Sequence, residues 1–150
     1  MKRVLFVCHG NICRSPMAEY VFRDLVEKAG LSDVIEVSSC AVSREEIGCD
    51  VYPPAKRVLL DHGVPCPSRH AREFTAEDAE KSDYILCMDE NNLYRLKRYS
   101  ADSSKVSLLG EHGLGGKEIE DPWYTDRFDR VYREIETCCA ALLKELAPSD

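Results

Sequence analysis

The chain has 150 residues and a net charge of −7, from 20 Lys and Arg against 27 Asp and Glu. That length suits one domain with one buried core, and 44% apolar with 31% charged content excludes a disordered chain. The acidic balance argues against bulk binding of nucleic acid or a membrane surface, although a local site on such a chain can still be positive.

Val4-Leu5-Phe6-Val7 is a short apolar run rich in β-branched residues and reads as a strand buried on both faces. His9-Gly10-Asn11 follows as a loop. Ser15 stands where an N-cap belongs, with Pro16 at the first helical position. Met17, Ala18, Val21, Phe22, Leu25 and Val26 then form one apolar helical face, which Gly30 ends. Residues 34–39 read as a second strand, and Pro53-Pro54 open a helix over 54–62 that Gly63 stops. A short helix over 76–81 precedes a third strand over 83–88. Residues 90–98 read as helix and 105–109 as a fourth strand. Four glycines at 110, 113, 115 and 116 mark a loop, and the last helix spans 127–146 with Phe128, Val131, Ile135, Cys138, Leu142 and Leu146 on one face.

Strands alternating with helices imply an α/β fold: one domain over 1–150, a small parallel sheet with helices on both faces. Ligands in such sheets bind beyond the carboxyl ends of the strands, and the loop after Val7 lies at such an end. Eight cysteines, at 8, 13, 40, 49, 66, 87, 138 and 139, do not suit a disulfide scaffold in a chain this rich in periodic segments. Met1-Lys2-Arg3 precedes an apolar run too short for a secretion signal, and no run of about twenty apolar residues occurs. The expected setting is a reducing cytoplasm, with most cysteines serving as small core hydrophobes.

The chemistry concentrates in Cys8-His9-Gly10-Asn11-Ile12-Cys13-Arg14-Ser15, which joins the first strand to the first helix. A loop entering a helix N-terminus aims free backbone N–H groups at one spot. Gly10 and Asn11 best tolerate the left-handed backbone that an anion nest needs. Arg14 adds a planar, charged fork suited to a phosphoryl group. Cys8 in that positive field is expected to be a thiolate near neutral pH, and Ser15 to hydrogen-bond its sulfur. A Cys, five residues, Arg pattern alone is weak: Cys66 and Arg72 repeat it. That second match has no glycine in its loop, no preceding strand and no following hydroxyl, and reads as a decoy with Cys66 a partly buried loop thiol.

Val7-Cys8-His9-Gly10-Asn11-Ile12-Cys13-Arg14-Ser15-Pro16 resembles the signature of the low-molecular-weight protein tyrosine phosphatases. The resemblance continues through Ser39, through Tyr84-Ile85-Leu86-Cys87-Met88-Asp89-Glu90-Asn91-Asn92-Leu93, and through Asp121-Pro122-Trp123-Tyr124. It implies a four-stranded parallel sheet flanked by helices. It implies Cys8 as nucleophile, Arg14 as phosphate-binding arginine and Asp121 as general acid. It further implies that Asn11, Ser15 and Ser39 shape the loop, and that His9, Gly10, Asn11, Ile12, Cys13 and Ser15 surround the phosphate.

A leaving tyrosine oxygen needs a proton, and among Glu118, Glu120 and Asp121 only Asp121 is followed by a stiffening proline and two aromatics. Trp123 and Tyr124 suit the walls of a cleft for a flat phosphotyrosine ring. The implied reaction has two steps: Cys8 attacks phosphorus while Asp121 protonates the leaving oxygen, then water attacks the phosphocysteine with Asp121 as base. No cofactor or metal is required. The resemblance also implies that Cys13 resolves oxidised Cys8 as a disulfide, whereas Cys138-Cys139 read as core.

Arg44-Glu45-Glu46 departs from the family, which often has an aromatic there, and Cys40 after Ser39 is another departure. Arg69, with His70 beside it, stands where the family has a histidine supporting the loop. Three rival functions differ at particular residues. Arsenate reduction needs a further cysteine about seven residues after Cys87, where Tyr94 stands. An arginine phosphatase has threonine in place of Ile12 and lacks the paired aromatics. A non-catalytic reader has no need of Cys8, Arg14 and Asp121 together. The expected partner is a phosphotyrosine-bearing protein, a tyrosine kinase being one candidate by analogy, with no nucleic acid or membrane partner and a monomeric state.

Overall fold

The computed structural model describes residues 1–99 and 103–148. Residues 100–102 and 149–150 of the domain expected over 1–150 lie outside the described residues. Four strands, β1 (Lys2–Cys8), β2 (Ile35–Ala41), β3 (Tyr84–Cys87) and β4 (Val106–Leu108), pair in parallel in the order β2-β1-β3-β4. Side chains alternate across β1: Val4, Phe6 and Cys8 face one side, Leu5 and Val7 the other. Both sides are buried, which is why the strand carries a continuous apolar run rather than an apolar–polar alternation.

Helices α1 (Arg14–Lys28), α2 (Pro53–Asp61) and α6 (Phe128–Leu146) cover the first side. Met17 and Phe22, Leu59, and Ile135 and Leu142 join Val4 and Phe6 in one core. The second side is thinner: α3 (Ala76–Lys81) and α4 (Glu90–Leu96) pack Ala79, Leu93 and Leu96 with Phe74 against Leu5, Val7 and Ile85. Cys138 and Cys139 are wholly buried on α6, as their core reading requires. Among the described residues no helix is long and apolar enough to cross a membrane.

The chain steps from β1 outward to β2, then returns past β1 to β3. The connections leaving β1 and β3 therefore diverge, and a crevice opens beyond their carboxyl ends. The predicted elements all occur, with shifted bounds. Pairing carries β1 and β2 further than their apolar runs, to Cys8 opposite Ala41. The N-cap expected at Ser15 falls instead at Cys13; Ser15 is inside the first turn and Pro16 third in the helix, where its missing N–H is still harmless. Ser15 does not cap because its hydroxyl is engaged elsewhere. The helix expected over 90–98 ends at Leu96 and tightens to a 3-10 turn over Lys97–Tyr99. A four-residue helix, α5 (Pro122–Thr125), went unpredicted because one turn has no periodicity to read.

One glycine in the loop before α5 is dictated by packing. A Cβ on Gly110 would lie 1.6 Å from the carbonyl oxygen of Lys117. The Gly110 carbonyl meanwhile accepts from the N–H groups of Leu114 and Gly116. This closed loop delivers Ile119, whose N–H donates to the Met88 carbonyl at 2.9 Å beside the end of β3. Gly110→Ala is expected to cost about 1–3 kcal/mol in urea unfolding, the range for overpacking, and to disturb everything hung from Ile119.

Candidate active site

Between the end of β1 and the start of α1 the chain turns in five residues. Asn11 is left-handed at φ 60°, one of the few non-glycine residues so placed. A Cβ on Gly10 would sit 3.2 Å from the Glu46 Cγ, so a larger residue there would press on the segment packed over the loop. The loop carbonyls are tied outward: Cys8 O accepts from Val42 N–H (3.0 Å), His9 O from the Ser43 hydroxyl (2.9 Å) and Ile12 O from Tyr52 N–H (2.9 Å). With the carbonyls held away, the loop presents N–H groups to its centre.

Asn11, 1% exposed, fixes the roles of its neighbours. Its Oδ1 accepts the Arg72 backbone N–H at 3.2 Å, so the amide hydrogens must face the other way. They reach Ser15 Oγ at 2.7 Å and Ser39 Oγ at 2.9 Å. Ser39 passes its own proton to Glu19 Oε1 at 2.5 Å. Ser15, accepting from Asn11, has its proton free for Cys8 Sγ at 3.0 Å. The same sulfur accepts the Asn11 backbone N–H at 3.3 Å. Two donors therefore converge on the Cys8 sulfur.

Arg14 is 2% exposed and its guanidinium is clamped. Nη1 donates to Asp89 Oδ2 at 2.7 Å and to the Ile119 carbonyl at 2.8 Å, while Nη2 lies 3.6 Å from Asp121 Oδ2. Burial disfavours the charge, but Cys8, Asp89 and Asp121 more than offset this and hold the guanidinium protonated. Asp89 is itself held: as N-cap of α4 its Oδ1 accepts the Asn92 N–H at 2.8 Å. Asp121 is the N-cap of α5, its Oδ1 accepting the Trp123 N–H at 3.0 Å, which leaves Oδ2 turned toward Arg14.

These groups line one cavity of about 260 Å³. Cys8, His9, Gly10, Ile12, Cys13 and Arg14 form its base and near wall, and Asp121, Trp123 and Tyr124 stand across from them. Ser15 and Asn11 sit behind the wall, in contact with the sulfur. The decoy resolves differently. Cys66 is buried rather than partly buried, because Val64 and Ala71 pack into the same core. The Arg72 guanidinium takes both Asp78 oxygens, at 2.9 and 3.0 Å. Arg69 reaches the Cys49 carbonyl and His70 the Gly48 carbonyl, and it is the Arg72 backbone N–H that supports the loop, through Asn11.

Sequence reasoning missed the roles of Asp89, Glu19 and Ser43, whereas Glu45 and Glu46, marked in the sequence as a departure from the family, do line the cavity. Asp89 had a signal, since it precedes Asn92 in a capping pattern directly after a strand. Glu19 lies four residues before Arg23 and reads as an ordinary helix ion pair, which it also makes. The cysteines other than Cys8 are held as thiols. Burial pushes Cys13, Cys40, Cys66, Cys87 and Cys139 up, takes Cys138 to about 11, and the Glu46 carboxylate raises exposed Cys49.

A four-stranded parallel α/β sheet with a Cys–Arg loop at its switch point places a thiol and a guanidinium where a phosphoryl group can be held. The family model for low molecular weight phosphotyrosine protein phosphatase matches residues 3–149, and the chain belongs to that family of enzymes. It is 44% identical over 151 residues to the Homo sapiens low molecular weight phosphotyrosine protein phosphatase, spanning 96% of this chain and 95% of the human one. The crystal structure of YfkJ from Bacillus subtilis matches at TM-score 0.92 and 35% identity, over 97% of this chain and 94% of that one. The YwlE arginine phosphatase, also from Bacillus subtilis and solved as a mutant with a phosphorylated active-site serine, matches at TM-score 0.86 and 27% identity, over 96% and 95%.

Two substitutions separate the loop from the decoy. Asp89→Asn keeps a good N-cap but removes the charge that clamps Arg14. It is expected to weaken inhibition by inorganic phosphate roughly 5–30-fold and to lower the unfolding free energy by about 1–3 kcal/mol, because the buried guanidinium loses a charged partner. Arg72→Ala should leave phosphate inhibition unchanged and cost about 1 kcal/mol or less, since that arginine is 42% exposed.

Proposed function

We propose that this chain hydrolyses protein phosphotyrosine through a phosphocysteine on Cys8, with residues 1–150 acting as one phosphatase domain. The observation that carries the reading is the convergence of the Cys8 sulfur, the clamped Arg14 and the Asp121 carboxylate on one cavity. Cys8 attacks phosphorus in line, and the P–O bond to the tyrosine breaks as Asp121 gives its proton to the leaving oxygen. Arg14 and the inward N–H groups of the loop hold the three equatorial oxygens. Water then attacks the phosphocysteine, Asp121 takes its proton, and inorganic phosphate leaves. The Ser15 hydroxyl stabilises the departing Cys8 thiolate. The phosphorylated active-site residue seen in YwlE supports a covalent step in this architecture.

The aryl preference rests on the walls. Ile12, Trp123 and Tyr124 give the cavity an apolar flank suited to a phenyl ring. An arsenate relay lacks support, since Cys87 is wholly buried and Tyr94 is exposed on α4. The expected substrate is a phosphotyrosine protein, a tyrosine kinase among the candidates, met by a cytoplasmic monomer.

Asp121→Asn is expected to lower turnover on the order of 10²–10⁴-fold with poor leaving groups and far less with good ones. A uniform loss across leaving groups would overturn the acid assignment. Cys8→Ser should abolish turnover altogether, and phosphotyrosine, phosphoserine and phosphoarginine peptides compared on one enzyme test the substrate class.

Redox control belongs to the same loop. Hydrogen peroxide converts the Cys8 thiolate to a sulfenic acid with loss of hydroxide; the Cys13 thiol displaces water from it and closes a disulfide. Burial first, and the charge of Cys8 second, keep Cys13 a thiol in the resting enzyme. Oxidation of Cys8 removes the second cause. Activity recovered by reductant after a fixed peroxide dose should be nearly complete in the natural chain and much lower in Cys13→Ser. Equal recovery, or Cys8 bridged to another cysteine by peptide mapping, would overturn this role.

A further inference from the structure

The cavity opens sideways into a groove of about 710 Å³ running along α2. Ile12, Glu46 and Trp123 line both, so the two spaces adjoin. The floor of the groove is apolar and uncovered: Leu60 is 53% exposed and Trp123 50%. The Tyr52 ring packs between two others, 4.7 Å from that of Trp123 and 6.0 Å from that of Phe128.

The junction between cavity and groove is acidic. Glu45 accepts from His9 Nε2 at 2.7 Å and keeps 68% of its side chain in solvent. Glu46 lies beside it, lining both spaces. Of the nearby cations Arg44 turns to Glu73 and Lys56 to Asp50, and Arg57 lines the groove together with Asp61 but not the cavity. Asp121 adds a third carboxylate on the cavity side. A substrate phosphate reaches Arg14 past these groups, so the field reverses sign between the base of the cavity and its rim.

A phosphotyrosyl side chain seated in the cavity brings its own backbone to the mouth. The chain then advances about 3.3–3.6 Å per residue and must leave over the rim. We propose that the groove is the subsite for this flanking polypeptide, with a Lys or Arg beside the phosphotyrosine meeting Glu45 and Glu46 and an apolar side chain beyond it lying on Tyr52, Leu60 and Trp123. The inference rests on the phosphotyrosine reading and names the substrate class within it. Acidic flanks meet like charge at the rim and are rejected, a discrimination that salt weakens.

The test uses the full chain and phosphotyrosine peptides carrying Lys-Leu, Asp-Leu or Lys-Ser next to the phosphotyrosine, on its N-terminal or its C-terminal side, with nitrophenyl phosphate as a substrate lacking any flank. On one side, kcat/KM for Lys-Leu should exceed that for Asp-Leu roughly 5–30-fold at low salt, the scale of two partly exposed ion pairs. The Glu45→Gln/Glu46→Gln double variant should bring that ratio near unity. Leu60→Ser should lower kcat/KM for Lys-Leu several-fold, leave Lys-Ser nearly unchanged and leave nitrophenyl phosphate unchanged. Equal turnover of basic and acidic peptides, or a ratio that survives the double variant, would overturn the inference while leaving the phosphatase reading intact. Turnover of nitrophenyl phosphate with none of the peptides would overturn the phosphotyrosine reading and the groove with it.

Discussion

The arrangement depends on a single buried amide. Asn11 Oδ1 takes the Arg72 N–H, and its two amide hydrogens are shared between Ser15 and Ser39. One side chain thus ties the first helix, the edge strand β2 and the segment ahead of α3 to the loop. Each bond is worth about 1 kcal/mol net, but an unpaired buried amide costs about 1–3 kcal/mol, so the network is held by the penalty for breaking it. Its consequence is directional. Because the amide cannot rotate, Ser15 must accept from it and turn its proton to the Cys8 sulfur. The left-handed backbone of Asn11 belongs to the same constraint, since it aims the residue's own N–H at that sulfur.

Arg14 supplies the second coupling. A buried guanidinium is tolerated only with its partners in place, and those partners come from distant parts of the chain. Asp89 stands after β3, and Ile119 and Asp121 follow the glycine loop. The Ile119 N–H is anchored on Met88, one residue before Asp89. The two halves of the crevice therefore meet around one cation, and neither half is a site without the other.

Much of this was legible in the sequence. The apolar run before Cys8, the Gly10-Asn11 pair and the apolar face of α1 each have a local physical cause, and they locate the loop. Cys8, Arg14 and Asp121 were assigned from residue type and motif, and the fold gathers them in one cavity. What escaped was long-range. That Asp89 clamps Arg14 cannot be read from its capping pattern, because the pair is 75 residues apart. Ser15 was misread as a cap because a serine before an apolar helix normally is one; here a buried sulfur and a buried amide compete for its hydroxyl. The support from Arg72 is a backbone contact, to which side-chain identity gives no clue. Glu45 and Glu46 stood out as a departure from the family, but their place at the rim required the β2 edge to be laid beside the loop.

A chain of net charge −7 must still take a dianion into a narrow cavity. It does so by separating charges in depth. The positive groups, Arg14 and the inward N–H groups, lie at the base, buried and scarcely screened, where a charge interaction is strongest. The carboxylates Glu45, largely exposed, and Glu46, partly exposed, lie at the rim, where their repulsion of the phosphate is weakened by solvent and salt. Only a substrate long enough to place its phosphate beyond the acidic rim gains the base without facing the rim at close range, and a phenyl ring supplies that length. The same depth that suits an aryl phosphate leaves the rim free to interact with what surrounds the tyrosine. On the proposed reading, phosphate recognition and flank recognition fall to different residues, and the two acidic ones, Glu45 and Glu46, stand where this chain departs from its family.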